Sequence, residues 1–273
     1  MLYRKFKPAL SLQPFVECYY RWDSEQRLTE TFRVESPPSG YGSIVLNYGG
    51  AYSIQNPKHP VLAVPSAFIT GQATHSYQLT LQDRIDMVGV VFKPAGLNSL
   101  FGLPMYEFSD ERVALSDVLG NNMQELYDRI GEASDAATRI ALLEQFLLDR
   151  LSRLKSPFNR TDYAANLIIE KRGIININEL IDDLYICRRQ FERQFLQKVG
   201  VSAKYYARIR RIGYILGEFV ANRWHVTDWH ELIYRAGYYD QSHFIKEFTG
   251  FTGKRPTVYA RQNIELAKYL SEQ

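Results

Sequence analysis

Asn176-Ile-Asn-Glu-Leu-Ile181 and Asp228-Trp-His-Glu-Leu-Ile233 decide how this chain is read: one pattern, met twice, 52 residues apart. Each copy opens on a residue whose side chain caps a helix, with Glu three positions on. At that spacing the cap accepts one orphan N–H of the first turn and the Glu reaches back for another. A helix therefore starts at both places, and a second helix follows each. Phe191 and Phe195 correspond to Phe244 and Phe248, now 53 residues apart, so the extra residue falls in the turn between the helices. Gly200 then corresponds to Gly253, and Tyr206 to Tyr259. Residues at i and i+4 share a helix face, and a phenylalanine pair marks that face as buried. Left outward are Arg189, Glu192, Arg193 and Leu196 in the first copy and Ser242, Ile245, Lys246 and Thr249 in the second. Arg188 and Gln241 to His243, at the starts of these second helices, also face forward.

Between the copies lies Ser202 to Asn222. A helix there would span roughly 31 Å at about 1.5 Å per residue. Successive major-groove segments on one side of B-DNA lie about 34 Å apart. The length suits two reading helices presented to neighbouring groove segments, although an unrelated helical pair can share it.

Charge points the same way without deciding the matter. Residues 1–156 carry a net −2 and residues 157–273 a net +5, for +3 in all. Within 188–211 stand eight bases (Arg188, Arg189, Arg193, Lys198, Lys204, Arg208, Arg210 and Arg211) and one acid, Glu192. Such a stripe is the footprint a polyanion wants, and equally a solvated basic face.

Several fixed spacings coincide: Arg188-Arg-Gln-Phe-Glu-Arg-Gln-Phe195, Gly200-Val-Ser202, Ala236-Gly-Tyr-Tyr-Asp-Gln-Ser-His-Phe244, Phe248, Phe251-Thr-Gly253, Pro256 and Tyr259. Together they make Asn176 to Tyr259 resemble the tandem helix-turn-helix module of AraC/XylS-type transcription regulators. The resemblance implies double-stranded DNA as partner, recruitment of RNA polymerase, and activation rather than repression. Arg189 and Arg193 match positions that face the major groove, where Arg bonds guanine O6 and N7 bidentately; phosphate contact or solvation is the plainer alternative. Arg188 is the phosphate ligand of the set. Glu192 either accepts from a cytosine amino group or orients an Arg. Gln241, Ser242, His243 and Lys246 hold the matching places in the second unit. Three features depart from the family pattern. Ile181 and Ile233 stand where a small Ala is usual, Ala203 stands where Pro is common, and Cys187 replaces a Ser cap. A thiol caps poorly. Beside Arg188 and Arg189 it is also a place for redox sensing, though substitution for Ser is the simpler reading.

The first 92 residues read as β-rich. Ser43 to Tyr48, Ser76 to Leu81 and Ile85 to Phe92 carry the β-branched and aromatic residues that strands favour, and Ser36-Pro-Pro-Ser-Gly40 and Tyr48-Gly-Gly50 punctuate them. After Pro94 the pattern turns helical: Ala95 to Phe101, Met123 to Ile130, and Asp135 to Leu154 with its stripe Ile140, Leu143, Leu147, Leu151 and Leu154. That stripe packs on its own domain or forms a dimer seam. Pro157 breaks the helix, Ser156 to Thr161 is the linker, and Thr161 or Asp162 caps the next helix. The expected fold is α+β. Residues 1–156 form a β-rich, cupin-like domain with trailing helices for effector sensing or dimerisation. Residues 157–273 form an all-α domain of two helix-turn-helix units joined by a long helix. Gly71-Gln72, Val90-Val-Phe-Lys-Pro-Ala-Gly96 and Leu103-Pro104 are similar to an uncharacterised sensor-type domain that precedes such modules and implies no known ligand.

Tyr41, Tyr48, Tyr52, Phe68 and Tyr77 are the residues for an apolar effector pocket, with strand core as the alternative. His59 and His75 lack the close spacing of a metal site, so no metal and no cofactor is expected. No Ser/His/Asp set, phosphate-binding glycine loop or Cys-x-x-Cys occurs. Regulation by a small-molecule effector therefore leads. An enzyme whose DNA module is regulatory, or a constitutive DNA-binding protein that only dimerises, remains the rival. No apolar run suits a membrane span, no secretory h-region opens the chain, and one distant pair, Cys18 and Cys187, fits a reducing cytoplasm.

Overall fold

The computed structural model describes residues 2–120, 122–155, 158–224, 226 and 228–262. Its N-terminal half is built around the apolar run read as a strand from Ile85. Six antiparallel strands form one sheet in the order β1 (Leu2–Phe6), β2 (Val16–Asp23), β9 (Asp86–Phe92), β4 (Gly42–Asn47), β7 (Ala67–Thr70) and β10 (Val113–Ala114). A second sheet orders β3 (Phe32–Ser36), β8 (Tyr77–Leu81), β5 (Tyr52–Gln55) and β6 (Leu62–Ala63). In β9 Met87 faces the second sheet, and Val88, Val90 and Phe92 face the helices. Both faces of the larger sheet are thus covered, which is why β9 reads as a near-continuous apolar run rather than an alternating one. Its β4 neighbour keeps register, with Val45 opposite Gly89 and Leu46 opposite Val88, whereas the pairing with β2 shifts between Val16 and Cys18.

The helical layer comprises α1 (Gly96–Phe101), a 3-10 turn (Met105–Phe108), α2 (Leu115–Leu119), α3 (Asn122–Glu132) and α4 (Ala136–Ser152). Asp135 caps α4, accepting from the Thr138 N–H at 2.9 Å. Ile140, Leu143 and Leu147 are buried in the same cluster as β2, β4 and β9. Between the two readings of that stripe, these three residues pack on their own domain. Among the buried polar residues is Asp86, met by Arg139 at 2.9 Å, Arg84 at 3.3 Å and Arg21 at 3.8 Å. A buried carboxylate needs that company.

From Arg160 to Gln262 the described residues contain seven helices: α5 (Arg160–Glu170), α6 (Ile177–Asp183), α7 (Arg188–Val199), α8 (Ala203–Ala221), α9 (Trp229–Arg235), α10 (Gln241–Thr252) and α11 (Pro256–Gln262). Their core is one cluster centred on Phe191, Phe195, Phe219, Phe244 and Phe248. The expected linker residues Ser156 and Pro157 lie outside the described residues. The cap of α5 differs from expectation. Asn159, not Thr161 or Asp162, is the N-cap, and Asp162 is the reciprocating residue three positions on. Asn has the short acceptor side chain that the position prefers, and this leaves Asp162 free to bond back to the Asn159 N–H at 2.7 Å.

The two halves share polar contacts. The Tyr206 hydroxyl donates to Gly40 O at 2.9 Å, Tyr205 to Thr74 O at 3.0 Å, and the Ser76 N–H to Phe251 O at 2.8 Å. Lys254 pairs with Glu35, and Arg210 donates to Ser39 O while lying 4.6 Å from the centre of the Tyr41 ring.

Candidate nucleic-acid interface

The two units repeat in space as they do in sequence. In each, a short helix (α6 or α9) ends in a left-handed turn, Tyr185 at φ +51° or Gly237 at φ +74°. A 12-residue second helix (α7 or α10) comes next and ends at a left-handed glycine, Gly200 or Gly253. Phe191, Phe195, Phe244 and Phe248 face the core, as their spacing requires.

Capping is uneven. Asp228 accepts the N–H groups of His230 at 2.8 Å and Glu231 at 2.9 Å. Asn176 accepts from Asn178 at 3.0 Å, but Glu179 bonds the Asn176 side-chain amide at 2.8 Å instead of its backbone N–H. A capping amide has its own donors to satisfy, so the reciprocal arm is diverted there. Asp240 caps α10 through the His243 N–H at 2.7 Å. The Cys187 thiol makes no such bond at α7.

On α7, Arg188, Arg189, Glu192, Arg193 and Leu196 lie on the solvent side, Arg188 and Leu196 only in part covered. Arg188 lies 3.4 Å from Glu192 and also donates to Asn178. Arg188, Arg189, Arg193 and Lys204 border one shallow depression of about 660 Å³ between α6, α7 and the start of α8. On α10, Gln241, Ser242, His243 and Lys246 face outward, whereas Ile245 packs against the core. The outward face of the second helix is therefore narrower than the phenylalanine spacing suggests.

The basic stripe divides in two. Lys198 bonds Asp162 at 2.9 Å and the Ser99 hydroxyl at 2.8 Å. Arg208 bonds buried Glu247 at 2.7 Å, Arg210 serves the contact with the N-terminal half, and Arg211 lies 4.9 Å from the Tyr238 ring centre. Half of the eight cations thus hold the protein together, and the outward set is Arg188, Arg189, Arg193 and Lys204. A count of charges in sequence cannot separate these uses. Helical spacing gives part of the signal: Arg189 and Arg193 are one turn apart on the face opposite Phe191 and Phe195.

The aromatic residues expected around an effector separate into three places. Tyr52, Phe68 and Tyr77 lie between the two sheets with Arg112, whose guanidinium is 4.7 Å from the Tyr77 ring centre and bonds Thr70 at 2.8 Å. Tyr48 stacks on Tyr127 at 4.6 Å on the helical side, and its hydroxyl donates to Tyr127 O. Tyr41 is the partner of Arg210 at the junction of the two halves. Tyr3 and Tyr20 complete the first group, stacked at 5.5 Å. Gly89 makes that possible, since a Cβ there would stand 2.5 Å from the Tyr20 ring. Burial, opposed by the Arg112 cation at Tyr52, pushes the Tyr52 phenol up, and burial likewise raises those of Tyr3 and Tyr20. All three stay neutral donors. Tyr3, Tyr20 and Arg112 escape sequence reading because they come from a polar edge strand, an unpunctuated strand and a loop. His59 is paired with Glu111 at 3.0 Å and His75 with Thr74 at 2.9 Å. Among the described residues no group of three His, Cys, Asp or Glu side chains is placed to hold a metal, and no helix is long and apolar enough to cross a membrane.

Residues 180–262 match the family model of a helix-turn-helix domain, and residues 4–114 match that of a domain of unknown function. No curated protein matches the chain. Among solved structures, ToxT from Vibrio cholerae is similar at 10% identity and a TM-score of 0.48, over 88% of this chain and 98% of that one. ToxT of strain SCE256, solved with an unsaturated fatty acid bound, gives 12% and 0.44 over 88% and 96%. The AraC-like transcriptional activator CuxR gives 12% and 0.28 over 76% and 84%. With two capped, phenylalanine-packed units in one matched segment and an arginine-bearing helix presented to solvent, residues 180–262 of this chain are a helix-turn-helix domain.

Proposed function

We propose that residues 1–156 sense a small molecule and so govern how residues 157–273 engage a specific DNA site. One observation carries this reading. The strands that border the tyrosine cluster between the sheets are the strands that hold the second helix-turn-helix unit. Tyr77 belongs to the cluster, and its neighbour Ser76 bonds Phe251 at the end of α10. Glu35, on the strand paired with β8, holds Lys254. A ligand seated among Tyr3, Tyr20, Tyr52, Tyr77 and Arg112 would favour one arrangement of the halves over another, and only such differential binding can shift the equilibrium. Neutral phenols and a guanidinium suit a small aromatic or anionic molecule.

On DNA, Arg189 and Arg193 read bases, and Arg188 and Lys204 meet phosphates. Glu192, already beside Arg188, orients that arginine. Gln241, Ser242, His243 and Lys246 do the corresponding work for α10. The bound protein would then recruit RNA polymerase.

The test is binding of the full chain to a pool of genomic fragments at several salt concentrations, with and without small-molecule libraries screened by thermal shift. One fragment retained far above the rest, with a steep salt dependence, and a compound that both raises the melting temperature and changes affinity for that fragment, is the expected result. A specific fragment whose binding no stabilising compound alters would leave a DNA-binding protein without an effector.

A further inference from the structure

Each helix-turn-helix unit carries a tyrosine in water immediately ahead of its second helix. Tyr185 is 89% exposed and stands two residues before the Cys187 cap; Tyr239 is 97% exposed and stands one residue before the Asp240 cap. A ring left in solvent adds nothing to the core. In the first unit it also carries a cost, because Tyr185 sits at φ +51°, a region that a residue with a Cβ enters unfavourably.

The second unit shows how that cost is avoided. Leu184 and Ala236 are the C-caps of α6 and α9, so Tyr185 and Gly237 are the same position, and both are left-handed. Glycine takes that conformation freely. The second unit then uses its extra residue to place Tyr238, which is buried, and Tyr239, which is not. The first unit lacks the extra residue and puts tyrosine on the left-handed position itself. Two different backbones thus deliver a phenol to the same stretch of each unit. The first turn is also braced: the Tyr185 N–H bonds Asp182 O at 3.1 Å, and Arg160 donates to Leu184 O at 2.9 Å and Tyr185 O at 3.5 Å. Among the described residues nothing rewards the exposed Tyr185 ring, and the helix it precedes is the one that carries Arg188 and Arg189.

We propose that Tyr185 and Tyr239 grip the sugar–phosphate backbone of DNA at the edges of the groove segments entered by α7 and α10, each phenol donating to a phosphate oxygen. Tyrosine is among the side chains that make such contacts, which set orientation without reading sequence. The inference rests on the chain binding DNA. A neutral donor displaces no counterion of its own, so it adds affinity without steepening the salt dependence.

The experiment compares the full chain with Tyr185→Phe, Tyr185→Gly and Tyr239→Phe on the tightest fragment selected by the parent protein. Tyr185→Phe and Tyr239→Phe should each weaken binding roughly tenfold, as loss of a hydrogen bond to a charged group does, with the ranking of fragments and the salt slope unchanged. Tyr185→Gly should raise the melting temperature and weaken binding at once. A purely structural role would move stability and affinity together, so opposite signs identify the contact. Parental affinity in the three variants overturns the proposal. So does a salt slope reduced by about one, which marks a charge contact, or a flattened fragment ranking, which marks base reading. A parent chain that selects no fragment overturns the DNA-binding function itself and this inference with it.

Discussion

Gly200 and Gly253 hold the same place in the two units and meet different surroundings. Both are left-handed, at φ +94° and +72°. A Cβ on Gly253 meets nothing within 4 Å, whereas one on Gly200 would stand 2.7 Å from Met105 O and 2.9 Å from Ser109 Oγ. Gly253→Ala should therefore cost only the conformational penalty, about 1–2 kcal/mol. Gly200→Ala should cost more, because it also pushes α7 off the Met105 turn. Urea midpoints of the two variants check the difference, and equal losses would count against the close contact. Arg193→Ala should flatten preference at one base step by about 1–3 kcal/mol, read from affinities for single-base variants of the selected fragment. Equal weakening on every fragment would make Arg193 a phosphate ligand. At this scale the sequence discloses what repeats. Gly200 and Tyr206 are recognisable because Gly253 and Tyr259 echo them, while their contacts with Met105 and Gly40 have no echo to read.

Helices of the C-terminal half are legible because their causes are local: cap residues, phenylalanines one turn apart, terminal glycines. Sheet pairing depends on distant partners. β1 reads Leu2-Tyr-Arg-Lys-Phe6 and shows no strand signal of its own, yet it pairs with β2 along its whole length. Burial of charge is equally non-local. Glu247 looks like an ordinary surface acid of α10, but it is buried and accepts from Arg208 on α8 and from the Tyr238 hydroxyl at 2.6 Å. It ties the connecting helix, the turn and the second helix together. Glu247→Ala leaves two donors without an acceptor and should lower stability by about 1–3 kcal/mol. The check is denaturant unfolding, and α10 should loosen first, with faster amide exchange there than in α7.

For the molecule as a whole, the contacts between the halves predict one unfolding transition rather than two. Tyr206 is fully buried and bonds Gly40 O across the junction, Arg210 lies on Tyr41, and Lys198 reaches Ser99. Probes of the β-rich half and of the helical half should therefore give coincident melting curves. The double variant Tyr206→Phe/Arg210→Ala should separate them. Coincident curves in the double variant would mean that apolar packing alone couples the halves. Sequence could mark two units of different composition but not this junction, since the residues that form it read as members of a basic stripe on one side and a Pro/Gly loop on the other.

Helix α7 reaches from the solvent-facing arginines to the N-terminal half. Its first turn carries Arg188 and Arg189, and its far end packs on α1 and the Met105 turn, with Ser109 bonding Gly200 O at 3.1 Å. Twelve residues make a rod about 18 Å long. Moving one end of such a rod by about 1 Å tilts it by about 3°, and arginines at the far end swing with it. A signal from the N-terminal half would need no relay of loops or intervening side chains. On the proposed reading, the helix that would face DNA is itself the lever, and the strands and turns upstream already hold its handle.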